Sequence, residues 1–438
     1  MSRSVTSTTP EILPPLSVEA LVNGGAGLVR HEGQVVFVPH TAVGDVITCA
    51  ISKRKKTYAE ARLVDLVEPG PGRCQPICPV AGECGGCQWQ HLAYPEQAFW
   101  KDYLFRQTLI RRCSISEERI LPLLVAPEPF AYRSRVQIKC HNTGAGFITG
   151  FYRPQSRYVV GVEHCPLIPD KLNGLLGELR IRINGSFFAG EIPQIDLAID
   201  DHDKCTAVVH YLGHHSSDLA DRLGALQGLA DIFLQQGTKK KIQTVCGDGR
   251  LGILVDEPPL ELKYLVGGFA QINLAQNRVM VAKVLDLLNW SKNDRVVDLY
   301  CGMGNFSLPL ARRVDRVLGV EESPLSIAMA KQNAVDNGLL NAHFQCHSAE
   351  QDLSGLLASF PVDILILDPP RSGAYEVMKQ IAEKMVSHVI YISCDPQTFA
   401  RDLCRLIHCG YEVVSSQPLD MFPQTYHCES ITYLRRRP

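Results

Sequence analysis

The sequence predicts an α/β protein in three parts: a small N-terminal β-barrel, a mixed α+β centre and a C-terminal doubly wound parallel sheet. Three observations carry this. From about residue 270, apolar strand-like runs alternate with helical patterns, the rhythm of a parallel sheet with crossover helices. Residues 15 to 68 show short period-two alternation broken by Gly-Gly and Val-Gly-Asp turns, which suits a barrel of about five strands. Residues 127 to 265 mix strands and loops with weak boundaries. The expected division is a disordered lead over 1–14 and the barrel over 15–70, followed by a central domain from 71–94 and 127–266 and a C-terminal domain from 95–126 and 267–438.

Composition narrows the class. At 45% hydrophobic and 21% charged the chain is ordinary for a globular protein. No apolar run approaches the roughly 20 residues of a membrane span. The N-terminal "MSRSVTSTTPEILPP" has no apolar signal stretch, so a cytoplasmic, non-membrane protein is expected. The 16 cysteines cluster rather than scatter, which favours reduced thiols, some of them ligands, over a disulfide framework. A net charge of −2 announces no polyanionic partner, yet basic residues gather locally. They are Lys53, Arg54, Lys55, Lys56 and Arg62; Arg133, Arg135 and Lys139; and Lys239, Lys240 and Lys241. Such clusters on a near-neutral protein suit a docked nucleic acid, and solvated loops would look the same.

In chain order, the barrel comes first, and small barrels with one basic face commonly bind RNA. "CPVAGECGGCQWQH" then sets Cys78, Cys84 and Cys87 as C-x5-C-x2-C, with Cys165 a distant fourth thiol and Cys74 a spare. Three close thiolates and a remote one make a metal-site pattern, for which zinc and an iron–sulfur cluster both remain open. "DRVVDLYCGMGNFSLPLA" reads as strand, glycine turn and helix. It lacks the third glycine of a dinucleotide loop. Its strand is expected to end on Asp298 and the next strand on Glu321, placed for ribose hydroxyls. An acidic first strand suits a methionyl ammonium, which describes S-adenosylmethionine; another nucleotide is the alternative.

"VDILILDPPRSGA" delivers Asp368 to the carboxyl edge of the sheet and fixes a stiff turn behind it. Arg371 stands where methyltransferases of exocyclic amines carry a stacking aromatic, which argues against that chemistry. The next apolar strand, "HVIYISCDP", ends on Cys394. A free cysteine is commonly a small buried hydrophobe. At a strand mouth beside a methyl donor it suits another role, adding to carbon 6 of uracil so that carbon 5 becomes nucleophilic. That chemistry needs a base as well. Glu429 in "YHCESITYL" is the first candidate and His427 the second.

Together these residues resemble the RNA uracil-C5 methyltransferase family, most closely its bacterial members that act on 23S ribosomal RNA. "FAQIN", "DLYCGMGNF", "GVEES", "DPPRSG", "SCDP" and "HCES" occur in that order. The resemblance implies a Rossmann-like catalytic domain, a TRAM-like barrel and a four-iron, four-sulfur site at Cys78, Cys84, Cys87 and Cys165, with zinc the alternative. It implies cofactor contacts at Gln271, Tyr300, Asn305, Glu321, Ser348 and Asp368, with Cys394 as nucleophile and Glu429 as base. Relatives often have Phe at the place of Tyr300 and Asn at that of Ser348. The implied partner is 23S rRNA before full ribosome assembly, bound by a monomer. The rivals are a tRNA uracil methyltransferase, a non-catalytic RNA-binding protein and an iron–sulfur redox enzyme.

Overall fold

The computed structural model describes residues 11–437 apart from 227, 238–241, 352 and 385. The basic cluster Lys239–Lys241 therefore lies outside the described residues, as does most of the expected lead. The chain divides into two compact units, one from the N-terminus to Leu104 with Phe422–Tyr426, the other from Phe105 to Met421 with His427–Pro438. Among the described residues no helix is long and apolar enough to cross a membrane.

In the first unit a six-stranded sheet runs in the order Ile12–Ser17, Val46–Arg54, Tyr58–Glu68, Gln34–Val38, Gly27–His31, Ala20–Leu21. The first strand starts at Ile12, inside the expected lead, because Ile12 and Leu13 pair with Ala50 and Cys49. Alternation does the packing: Val36, Val38, Ile47, Cys49 and Ala59 are buried in one cluster. Residues 71–94, expected in the central domain, belong to this unit instead. Two anchors explain why. Buried Asp45 accepts from the amides of Ala42 and Gly70 and binds the Arg73 guanidinium at 2.6 Å. Buried Trp89 donates its indole N–H to the carbonyl of Gly25 at 2.9 Å. Gly70 has no alternative residue, since a Cβ there would sit 2.3 Å from the Val43 carbonyl oxygen.

The second unit holds the mixed central part and the C-terminal sheet. A seven-stranded, mostly antiparallel sheet runs in the order Ile242–Cys246, Asp231–Gln236, Cys205–Tyr211, Gln194–Ile199, Arg135–Thr143, Gly146–Tyr152, Val159–Gly161. A hairpin, Arg250–Val255 with Leu260–Leu265, follows. The C-terminal sheet has seven strands: β1 (Arg295–Leu299), β2 (Arg316–Glu321), β3 (Ala342–Cys346), β4 (Ile364–Leu367), β5 (His388–Ser393), β6 (Tyr411–Leu419) and β7 (Glu429–Arg436). Their order is β3-β2-β1-β4-β5-β7-β6. The first five are parallel, as their continuous apolar runs require when helices cover both faces. β7 alone runs the other way: it enters antiparallel between β5 and β6, joined to β6 with no helix between them, and β6 runs with the first five. The core gathers Val297, Leu299, Leu365, Leu367 and Tyr391 from the strands with Phe399 and Leu403 from the helix after β5.

Candidate active site

Four of the five strands of the parallel set hand a functional residue to the carboxyl edge, where α/β sites form. Tyr300 follows β1, Glu321 ends β2, Asp368 follows β4 and Cys394 follows β5. Glu429 comes from the opposite direction. Because β7 is antiparallel to β5, with Ser430 opposite Ser393, its first residue reaches the same edge as the last residues of β4 and β5. Strand direction thus brings Glu429 to Cys394.

The turn after β1 is shaped by left-handed backbone at Tyr300 (φ 62°), Gly302 (φ 55°) and Gly304 (φ 98°). Tyrosine is costly in that region, so its presence marks a position held by the surroundings. Its half-buried side chain packs against the core, and its hydroxyl is buried with no hydrogen-bond partner among the described residues. Asp298, one residue inside β1, is fully buried. Its Oδ2 accepts from the Ser307 hydroxyl, while Oδ1 has no partner among the described residues. Burial pushes its carboxyl up to about 7, with the charges of Asp368 and Glu321 adding to the effect.

Other expected cofactor residues lie around this turn. Glu321 is steadied by the Ser323 amide, which donates to its Oε1 at 2.8 Å. Asn305 forms a reciprocal amide pair with Asn277, both bonds 2.9 Å. Gln271 donates to Asp368 Oδ2 at 3.5 Å. Two residues on, the Asn273 side chain caps the helix α1 (Leu274–Leu285) by accepting from the Gln276 amide. Ser348 lies two residues past β3, its carbonyl accepting from the Gln351 amide.

Around the thiol the charges are arranged unusually. Burial pushes Cys394 up to about 12, and the carboxylates of Glu429 and Asp368 push the same way while Arg371 opposes them. Buried Glu429 is itself pushed up to about 8 by desolvation and by Asp368, again against Arg371. Asp368 is pushed up to about 7 by burial. The thiol therefore rests protonated beside a carboxyl that titrates near neutrality, the condition for general acid–base work. His427, the second candidate base, faces Arg371, with Nε2 3.4 Å from its Nη2.

Two residues emerge only from the structure. Asp395 caps helix α2 (Pro396–His408), its Oδ1 accepting from the amides of Gln397 and Thr398, with Pro396 in the first turn. The sequence signal was the Asp-Pro pair, which marks a helix start as well as a turn. Buried Asp402 binds the Tyr391 hydroxyl at 2.8 Å and the Ala374 amide at 2.7 Å, tying the loop after Asp368 to the strand that ends on Cys394. No local pattern signals it.

The thiol candidates for a metal divide between the units. Cys78, Cys84 and Cys87 lie in the first, where the Gly86 amide donates to the Cys84 sulfur at 3.4 Å. Cys165 lies in the second, its backbone clamped by both ends of the Asn173 amide. Among the described residues no three Cys, His, Asp or Glu side chains are gathered as ligands of one ion.

A parallel sheet with an acidic carboxyl edge, and with a thiol and a raised-pKa carboxyl converging there, defines an α/β group-transfer enzyme. Comparison with known proteins narrows the class. The chain belongs to the tRNA (uracil-5-)-methyltransferase family, whose model matches residues 131–437. A TRAM domain matches residues 15–64. Both agree with the resemblance read from the sequence. A protein of Alkalilimnicola ehrlichii, named 23S rRNA (uracil(1939)-C(5))-methyltransferase RlmD, is 33% identical over 96% of each chain. One of the same name from Aeromonas hydrophila is 34% identical over 98% of each. Among solved structures, a Pyrococcus abyssi tRNA (uracil-54, C5)-methyltransferase in complex with S-adenosyl-L-homocysteine shares the fold. It has a TM-score of 0.73 over 96% of this chain and 100% of that one, at 23% identity.

Proposed function

We propose that this chain methylates carbon 5 of a uridine in 23S ribosomal RNA, using S-adenosylmethionine as donor. The observation that carries this reading is the convergence of Cys394 and Glu429 beside Asp368 and Gln271 at one sheet edge. The residues present fit the donor: Asp298 Oδ1 and the Tyr300 hydroxyl are buried polar atoms that a methionyl ammonium and a nucleoside would satisfy. When bound, the donor supplies an electrophilic methyl group.

The protein's own residues do the rest. Cys394 gives up its thiol proton to solvent and adds as thiolate to carbon 6 of an extruded uracil; carbon 5 then takes the methyl, the sulfur–methyl bond breaking to leave S-adenosylhomocysteine. Glu429 removes the carbon 5 proton, and the carbon–sulfur bond breaks to restore the aromatic ring and the thiolate. Gln271 and Asp368 orient the base or the donor at the same edge. The TRAM-like barrel and the basic residues Lys53, Lys55 and Lys56 at its hairpin supply RNA affinity. The thiols of Cys78, Cys84, Cys87 and Cys165 are proposed, from their sequence spacing, as ligands of a four-iron, four-sulfur cluster; the Gly86 N–H at the Cys84 sulfur suits a thiolate ligand.

The test is release of tritium from carbon-5-labelled uracil in 23S rRNA and in tRNA transcripts, together with mapping of 5-methyluridine in rRNA from cells lacking the protein. Release from 23S rRNA, with one methylated uridine missing in those cells, is expected. Release from tRNA alone would move the substrate to tRNA, and no release from either would overturn the reaction.

A further inference from the structure

A cleft of about 430 Å³ lies behind the active site, between the central sheet and the hairpin Arg250–Val255/Leu260–Leu265. Its wall is shared with the catalytic centre. Ala270 and Ile272 line the cleft, while Gln271 between them reaches Asp368 on the other side. The segment is stitched to the sheet, the Ser134 amide donating to the Ile272 carbonyl at 2.7 Å.

The chemistry inside is specific. Tyr264 lines the cleft and is 2% exposed, yet its hydroxyl has no partner among the described residues. The Nε of Arg133, another lining residue, is also buried without one. Native interiors rarely leave such donors unpaired, and each costs free energy until a ligand supplies an acceptor. The Arg135 guanidinium lies 5.8 Å from the centre of the Tyr264 ring and donates to the Ala270 carbonyl. At the rim Phe269 is 63% exposed, an aromatic face without cover. Unpaired donors, two arginines and the exposed Phe269 ring match a nucleobase with its phosphate better than a metal cation or an apolar tail. The size is within the range of about 300–1,000 Å³ for small-ligand sites.

We propose that this cleft takes one unpaired base of the substrate RNA, from a nucleotide near the target uridine. Binding there would lock the RNA on the reverse side of the segment that presents Gln271. The inference rests on the RNA methyltransferase reading above.

The test is a scan of a 23S rRNA fragment in which each nucleotide flanking the target is made abasic in turn. Methylation kcat/KM is measured for the wild type and for the Tyr264→Phe/Phe269→Ala variant, with S-adenosylhomocysteine binding as the check on folding. One abasic position is expected to cost the wild type about tenfold, from the lost stacking and hydrogen bond. The variant should lose about as much on intact RNA, and nothing further at that position. If every abasic penalty instead multiplies with that of the variant, or no position matters, the cleft holds no base. A wild type that methylates no RNA would overturn the functional reading and this one with it. A variant that loses S-adenosylhomocysteine binding is replaced by Tyr264→Phe alone, for which the same non-additivity at one position is expected and its absence is decisive.

Discussion

Glu429 stands beside Cys394 because β7 runs antiparallel to β5, with Ser430 opposite Ser393. The two groups are also coupled in charge: an ionised Glu429 holds the Cys394 thiol up, and burial alone already does so. A base that discourages its own nucleophile is useful when the two act in succession. The thiolate adds first, and the carboxylate acts only after the methyl has arrived.

Glu429→Gln separates these roles. Without the carboxylate the carbon 5 proton stays, so the covalent RNA–protein adduct should accumulate while methyluridine release falls by about 10²-fold or more. Denaturing gels of protein with labelled RNA report the adduct. Cys394→Ala should give neither adduct nor product while retaining donor binding. A Glu429→Gln enzyme that turns over normally would assign the proton to another group.

Arg371 opposes the rise of both Cys394 and Glu429. Arg371→Gln should therefore push both further up. The alkaline rise of kcat would move to higher pH, and activity at pH 7 would fall by about tenfold if the ionised fraction drops by that factor. A uniform loss with an unmoved pH profile would limit Arg371 to RNA contact.

Three buried carboxyls make the free protein sensitive to alkali. Asp298 and Asp368 are pushed up to about 7 and Glu429 to about 8, all by burial first. In the unfolded chain each ionises near its ordinary value of about 4. Between those values the folded state binds more protons than the unfolded one, so stability is full below about pH 4 for these groups and falls as pH rises to 8. Thermal unfolding without ligand should show this decline over pH 5–8. Glu429→Gln should flatten part of it, and S-adenosylmethionine, whose ammonium favours ionised Asp298, should restore more stability at pH 8 than at pH 6.

The parallel strands, the glycine turn and the residues at the strand ends were legible in the sequence because periodicity and turn chemistry are local signals. The place of β7 was not, since insertion between β5 and β6 is set by pairing with both of them. Nor was the attachment of residues 71–94 to the barrel, which rests on Trp89 reaching Gly25 across 64 positions. Arg371 was visible as a departure from amine methyltransferases, but its influence on two buried groups needed their common location.

Asp402 carries the last prediction. Its carboxylate is fully buried and binds the Tyr391 hydroxyl, the Ala374 amide and the Arg401 guanidinium, the last at 2.7 Å. These come from β5, from the loop that follows Asp368 and from α2, so one side chain holds the supports of Asp368 and Cys394 together. Gly373 is required beside it, since a Cβ there would lie 2.4 Å from Asp402 Oδ2. Asp402→Ala leaves a buried hydroxyl and a buried amide unpaired, at about 1–3 kcal/mol each. Denaturant unfolding should register that loss, and the surviving folded fraction should bind donor yet form the covalent adduct slowly. Asp402→Asn keeps an acceptor for the hydroxyl or the amide and should recover part of both. Adduct formation at the wild-type rate in Asp402→Ala would show that the loop and Cys394 are positioned independently of each other.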